Sequence, residues 1–267
     1  MYKYINNFIL SNFYDCLPRF FSRKFFKIFK IFFVETKLEI LPENNHPSKL
    51  NYELQKEFIK KSTDKSFKPF ISYVNLLDLL KNYEKKSIKI NFYDFGACNI
   101  DLYLFLSKNL KKLNYIYYDQ NHYNSVIEAI RKENNFNNLK VDVNFASEKN
   151  DLDFLYFGSS IQYLKNYKDI LEHFFKFKPK HIIVSQTPFY SSDHNSKNII
   201  LKQINLHPII NFAYLLNYES FCAYMESNGY FLRKKNLNRV IKFLNFKNFN
   251  KKHKFVDFLD LVFDYNI

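Results

Sequence analysis

The sequence predicts an α/β fold: a mostly parallel sheet with helices on both faces. Two observations carry this. Between residues 88 and 185, β-branched and aromatic runs alternate with stretches of helical periodicity. The runs end in short turns built from acids, Gly, Ala and Ser rather than in two-residue hairpins. Parallel strands need crossover connections, and alternation of this kind supplies them.

The elements follow in order. A short helix reads near Leu54–Lys61 and a second over Ile71–Tyr83. Then come strand 88–95, helix 100–110, strand 114–119, helix 122–133, strands 139–145 and 152–157, helix 166–176 and strand 180–185. After Pro188 a polar loop leads to a helix near Ser196–Gln203. A helix at Tyr218–Asn228 is closed by Gly229, a residue suited to the left-handed end of a helix. Tyr230–Val240 and Phe255–Phe263 read as two closing strands. Residues 67–267 form the α/β domain, preceded by an arm and connector over 1–66.

The arm has its own character. Between Pro18 and Val34, Arg19, Arg23, Lys27 and Lys30 recur at steps of four, four and three, which places them on one helical face opposite many Phe residues. Two accounts fit this helical arm: it lies on an anionic membrane surface through residues 1–34, or it packs its Phe face on the domain with the cations in water. The charges interrupt every candidate signal-peptide core. No apolar run approaches the roughly 20 residues needed to span a bilayer.

The formal charge of +14 invites a nucleic-acid partner, but only five of the 40 basic residues are Arg, the usual bidentate reader of phosphate and guanine. Abundant Lys, Asn, Ile, Phe and Tyr with scarce Gly instead reflect AT-rich coding, so nucleic acid is disfavoured as a partner. Cys16, Cys98 and Cys222 are too widely spaced for a metal site and suit a reducing cytoplasm. The expected location is cytoplasmic, with the arm allowing peripheral attachment at the inner face of the membrane.

The chemistry gathers at the strand ends. Strand 88–95 closes in Asp94-Phe95-Gly96-Ala97-Cys98-Asn99 and opens a helix; the next strand ends in Asp119. A turn facing the ligand and a second acid for ribose hydroxyls is the layout of a nucleoside-binding α/β unit. A dinucleotide fingerprint wants three glycines and this turn has one, which weakens a NAD reading. S-adenosylmethionine, having no pyrophosphate, remains compatible. The Phe145-Ala146-Ser147 turn and Gly158-Ser159 fall at further strand ends, on the edge where open α/β sheets bind ligands.

Asp94-Phe95-Gly96, Asp119, Asp153 leading into Gly158-Ser159-Ser160-Ile161-Gln162-Tyr163-Leu164, and Ile182-Ile183-Val184 running into Thr187-Pro188 resemble an S-adenosylmethionine-dependent methyltransferase family associated with bacterial surface-polysaccharide gene clusters. Leu206-His207-Pro208 and Tyr218-Glu219-Ser220-Phe221 through Gly229-Tyr230 fit its later pattern. The resemblance covers residues 70–235 and implies a Rossmann-like class I methyltransferase fold, S-adenosylmethionine as cofactor and a sugar or glycan acceptor. It also implies that Asp94, Gly96, Ala97 and Cys98 line the methionine side, that Asp119 takes the ribose with Gln120 beside it, and that Phe145 and Ala146 flank adenine. Phe157, Gly158 and Ser159 would lie under the sulfonium.

Two departures from the family stand out. Ala97-Cys98-Asn99 replace small glycines, and Gln186 stands where an Arg usually precedes Thr-Pro. Candidate bases for deprotonating an acceptor are His194, in the loop after Pro188, and the phenol of Tyr163. The rival readings are a methyltransferase-like binding or scaffold protein without activity, and a nucleotide-sugar or NAD-dependent enzyme on a similar fold.

Overall fold

The computed structural model describes residues 30–34, 38, 40–42, 52–63, 69–87, 89–119, 121–145, 151–191, 197–206, 209–238, 244–247 and 254–266. In chain order these form β1 (Lys30–Val34), α1 (Tyr52–Thr63), α2 (Ile71–Glu84), β2 (Ile90–Phe95), α3 (Asp101–Asn109), β3 (Leu113–Tyr118), α4 (Asn121–Glu133) and β4 (Leu139–Val141). There follow β5 (Phe154–Gly158), a 3₁₀ turn (Ile161–Tyr163), α5 (Tyr167–Phe175), β6 (His181–Ser191), β7 (Ile199–Leu206), β8 (Ile209–Asn217), α6 (Tyr218–Ser227), β9 (Tyr230–Leu237), β10 (Leu244–Lys247) and β11 (Lys254–Tyr265).

The central sheet runs β4-β3-β2-β5-β6-β11-β9. The pairs from β4 through β6 are parallel, and β11 runs antiparallel to both β6 and β9. The order reverses between β2 and β5, so the crevice over their carboxyl ends is the topological switch point. Side chains alternate faces along each strand. Phe92, Tyr115, Phe154 and Tyr156 join one core with residues of α2, α3 and α4. Tyr93, Phe95, Leu155 and Phe157 join the other with α5 and α6. Both faces are therefore covered, as the alternation predicts.

Three regions differ from the sequence reading. Lys30–Val34 is a strand, paired in parallel with β10 and antiparallel with β7, so the helical stripe does not extend to Val34. Its Ile31-Phe32-Phe33-Val34 run suits a pleated surface, and two flanking strands decide the matter; the rest of the stripe lies outside the described residues. The helix expected near Ser196–Gln203 is instead β7 from Ile199 on, forming a hairpin with β8. The strand expected at 139–145 stops at Val141, and Phe145 already has a φ of 51°.

β6 binds these parts together. Its first half pairs with β5, through Gly158 opposite Ser185; near its end Phe189 and Tyr190 pair with β8. Pro188, which has no N–H to donate, stands between the two partnerships. Through β8, the β7-β1-β10 strands extend from the end of β6.

Candidate functional site

The first strand–helix turn is set by its neighbours. Gly96 has a φ of 69°, and its N–H donates to the Tyr118 carbonyl at 2.8 Å. A Cβ on Gly96 would lie 2.7 Å from the Ser160 Cβ. Ser160 in turn donates its hydroxyl to the Phe95 carbonyl at 2.8 Å. Glycine is thus required by the adjacent β5 turn. Cys98, at φ 58°, donates its backbone N–H to Asp119 Oδ2 at 2.7 Å. The Asn124 side chain clamps the Asp119 backbone, accepting its N–H at 3.0 Å and donating to its carbonyl at 2.8 Å. The two turns are therefore hydrogen-bonded to each other across the β2/β3 edge.

The second edge is held by amides and hydroxyls. Buried Gln162 donates to Ser159 Oγ at 3.0 Å and faces the Thr187 hydroxyl, which donates to its Oε1 at 3.2 Å. Ser159, at φ 57°, also donates its N–H to the Ser185 carbonyl at 2.9 Å. The Gln-Tyr-Leu and Thr-Pro elements singled out in the sequence are thus one hydrogen-bonded chain holding the Gly158-Ser159-Ser160 turn. Gly158 leaves room for the Tyr156 ring, whose Cε1 would lie 2.5 Å from an added Cβ.

These turns open on a cleft of about 710 Å³, within the range of small-molecule sites. Asp94, Gly96, Ala97, Cys98, Asp119, Gly158, Ser159 and Tyr163 all line it. Phe157 does not: it is fully buried in the second core, with its ring centroid 5.3 Å from that of Phe95. An alternating strand sends Gly158 and Tyr156 toward the opposite face from Phe157, which corrects its assignment beneath the sulfonium. Phe145 is not among the lining residues and packs on Phe95, Tyr118 and His173. Gln120, Ala146 and His194 lie outside the described residues. Asp153 stands at the amino end of β5, engaging Lys180 and the Asn91 N–H, and serves the fold.

Sequence reasoning missed Tyr73, Asp101 and Tyr156, which also line the cleft. Tyr73 donates to Asp101 Oδ2 at 3.0 Å, and Tyr115 donates to Asp94. Their positions, a Tyr early in the helix before β2 and an Asp opening α3, carry the only sequence signal. Burial pushes the Asp94 carboxyl up to about 8, opposed by the Tyr115 hydrogen bond and reinforced by Asp101 and Asp119. Burial likewise raises Asp101, while the neighbouring Asp119, Asp101 and Asp94 carboxyls act to raise the exposed Cys98 thiol. Three carboxyl groups around one cleft suit a ligand that brings positive charge and hydroxyl donors. Among the described residues no cluster of His, Cys, Asp or Glu could hold a metal ion, and no helix is long and apolar enough to cross a membrane.

No protein-family model and no curated protein sequence matches this chain. Solved structures do. The N-terminal domain of EvdMO1, crystallised in the presence of S-adenosylhomocysteine and D-fucose, aligns with a TM-score of 0.52 at 10% identity, covering 83% of this chain and 100% of that one. The same domain with S-adenosylhomocysteine bound gives 0.51, with the same identity and coverage. A Burkholderia thailandensis 1,6-didemethyltoxoflavin-N1-methyltransferase gives 0.48 at 8% identity, over 85% of this chain and 95% of that one. The architecture is the Rossmann-like class I methyltransferase fold.

Proposed function

We infer that this protein is an S-adenosylmethionine-dependent methyltransferase acting on a sugar or glycan intermediate of surface-polysaccharide assembly. The observation that carries the cofactor assignment is the Asp119 carboxylate, fixed to the Cys98 N–H at 2.7 Å on the rim of a cleft that also holds Asp94 and Gly96. The donor set fits: Asp119 would accept ribose hydroxyls, and Asp94 and Asp101 would face the cationic methionine end. The Gly158-Ser159 turn would border the reacting centre. The sugar acceptor rests on the sequence resemblance, and is consistent with a structural neighbour crystallised in the presence of D-fucose.

The cofactor supplies an electrophilic methyl group on a sulfonium. The chain's part is to align an acceptor hydroxyl in line with it and to remove that hydroxyl's proton. Tyr163, lining the cleft, would take that proton in its phenolate form, and neutral His194 is the alternative base. Titration calorimetry with S-adenosylmethionine, S-adenosylhomocysteine and NAD tests the reading: binding of the first two and not the third is expected. Binding of NAD alone would overturn it. Binding of the first two, with no transfer to any glycan, would favour a scaffold role.

The Arg19-Arg23-Lys27 stripe supports a cytoplasmic enzyme held at an anionic membrane surface, where lipid-linked glycans are found. Each cation near such a surface contributes about 1 kcal/mol. Co-sedimentation with anionic vesicles that disappears on deleting residues 1–29 is the expected result; sedimentation unchanged by the deletion would refute it.

A further inference from the structure

The β6–β11 pairing carries an irregularity at the cleft. Val184 faces Leu261 and Thr187 faces Leu259, so Ser185 and Gln186 together oppose the single residue Asp260. This is a β-bulge, a device that re-aims a side chain. Gln186 takes a φ of 52°, a conformation that side chains rarely adopt and that persists only when surrounding contacts fix it. Those contacts are present. Buried Asp260 accepts the Gln186 N–H at 2.9 Å, the Ser185 hydroxyl at 2.6 Å and the Asn238 amide at 3.0 Å. The Gln186 side-chain amide donates to Ser72 Oγ at 2.8 Å, beside Tyr73 at the start of α2. The result is a neutral amide, seated from two directions and lining the cleft.

The ionisable groups around it are mostly acids. Asp94, Asp101 and Asp119 line the cleft, and Lys165 is the one cation among its described lining residues. With the Asp94 carboxyl held largely protonated at neutral pH, a ligand with net charge of +1 would bring that balance close to neutral. A phosphate or carboxylate entering there would meet carboxylates and lack the bidentate guanidinium that such groups need when desolvated. Tyr73, Tyr156, Tyr163, Ser159, Asn166 and Gln186 offer instead ring faces, hydroxyls and amides, which suit a ring carrying many hydroxyls.

We propose that the acceptor end of this cleft admits an uncharged polyhydroxylated ring and excludes acceptors bearing a phosphate or carboxylate, with Gln186 as the residue that sets the choice. This rests on the methyltransferase reading above. The test is saturation-transfer NMR and calorimetry on the full chain loaded with S-adenosylhomocysteine, using methyl hexopyranosides, glucose 1-phosphate and glucuronate as probes. Transfer to the neutral pyranosides alone is expected. The Gln186→Arg variant, whose backbone strain the native Gln already bears, should improve binding of the two anionic probes by about 10-fold or more through charge-assisted hydrogen bonds. If that variant does not fold, Gln186→Lys is read the same way. Equal or tighter binding of the anionic probes to the parent protein would overturn the proposal, as would no pyranoside binding in protein shown to hold S-adenosylhomocysteine. Unchanged discrimination in the folded variant would remove Gln186 from the role. Failure to bind S-adenosylhomocysteine would instead refute the underlying cofactor reading, and the two failures are separable.

Discussion

The two edges of the cleft are built at the ends of neighbouring strands yet from different chemistry. On the β2/β3 edge stand three carboxyls, Asp94, Asp101 and Asp119. On the β5/β6 edge they are hydroxyls and amides: Ser159, Ser160, Gln162, Gln186 and Thr187. The first edge keeps ionisable groups out of water at a cost that a cationic ligand can offset. The second spends its polar groups on hydrogen bonds within the fold, to each other, to Phe95 and to Ser72, and fixes Ser159 and Gln186 in left-handed conformations. One side is poised for charge, while the other is shaped for geometry.

The sharpest way to break this division is at the contact between the edges. Gly96→Val adds a Cβ against Ser160 and forces a β-branched residue to a φ of 69°. Stability should fall by about 3–5 kcal/mol, with S-adenosylhomocysteine binding lost as well. Thermal unfolding and calorimetry on the same sample check this. Gly96→Ala should be milder, and Ser160→Gly should rescue part of its loss; no rescue would mean that the ligand, not Ser160, is what Gly96 accommodates.

Asp94 offers a pH test of the charged edge. Its folded value of about 8 lies above the ordinary 3.8, so the folded chain holds a proton that the unfolded chain releases between those values. The ligand-free protein therefore loses stability as pH rises from about 4 to 8, by an amount on the order of a few kcal/mol. Asp94→Asn should remove that component and raise the ligand-free melting temperature at pH 8, while weakening cofactor binding. Chemical denaturation across pH 5–9 measures both slopes; identical slopes would mean that Asp94 titrates normally.

A smaller effect is expected from Asp119→Ala, which should weaken S-adenosylhomocysteine binding by about 1.5–3 kcal/mol, the range for hydrogen bonds to a charged group. Calorimetry on folded protein decides it, and parental affinity would remove the ribose contact. Smallest of the four is Gln162→Leu on the neutral edge. It should cost about 1–2 kcal/mol of stability by releasing Ser159 and Thr187, with cofactor affinity nearly unchanged. A large loss of cofactor affinity there would mean that the edges are not separable.

How much of this was legible in the sequence follows from what is local. The β2–β6 alternation, the α6 helix with Gly229 at φ 83°, and the closing strands β9 and β11 could be read because each segment's own pattern matches its period. So could the strand-end turns, where Asp94, Gly96, Asp119 and Gly158 announce themselves by type. β1 and β7 could not, because Lys30–Val34 and Ile199–Leu206 are fixed by pairing with distant strands. Phe157 was misplaced because strand register, not residue type, decides which face a ring takes. Asp260 and Ser72 escaped for a related reason: their meaning lies in contacts with Gln186 across 74 and 114 residues of chain.

The bulge at Ser185–Gln186 also has a consequence for how such a molecule can change over generations. Residues up to Ser185 are gripped by β5, whereas Phe189 and Tyr190 are gripped by β8. Insertions or altered lengths in the β7–β8 hairpin are absorbed beyond the bulge and do not shift the register of β5 against β2. The bulge thus separates a segment of β6 that must keep its register beside the cleft from one that answers only to β8 and β11.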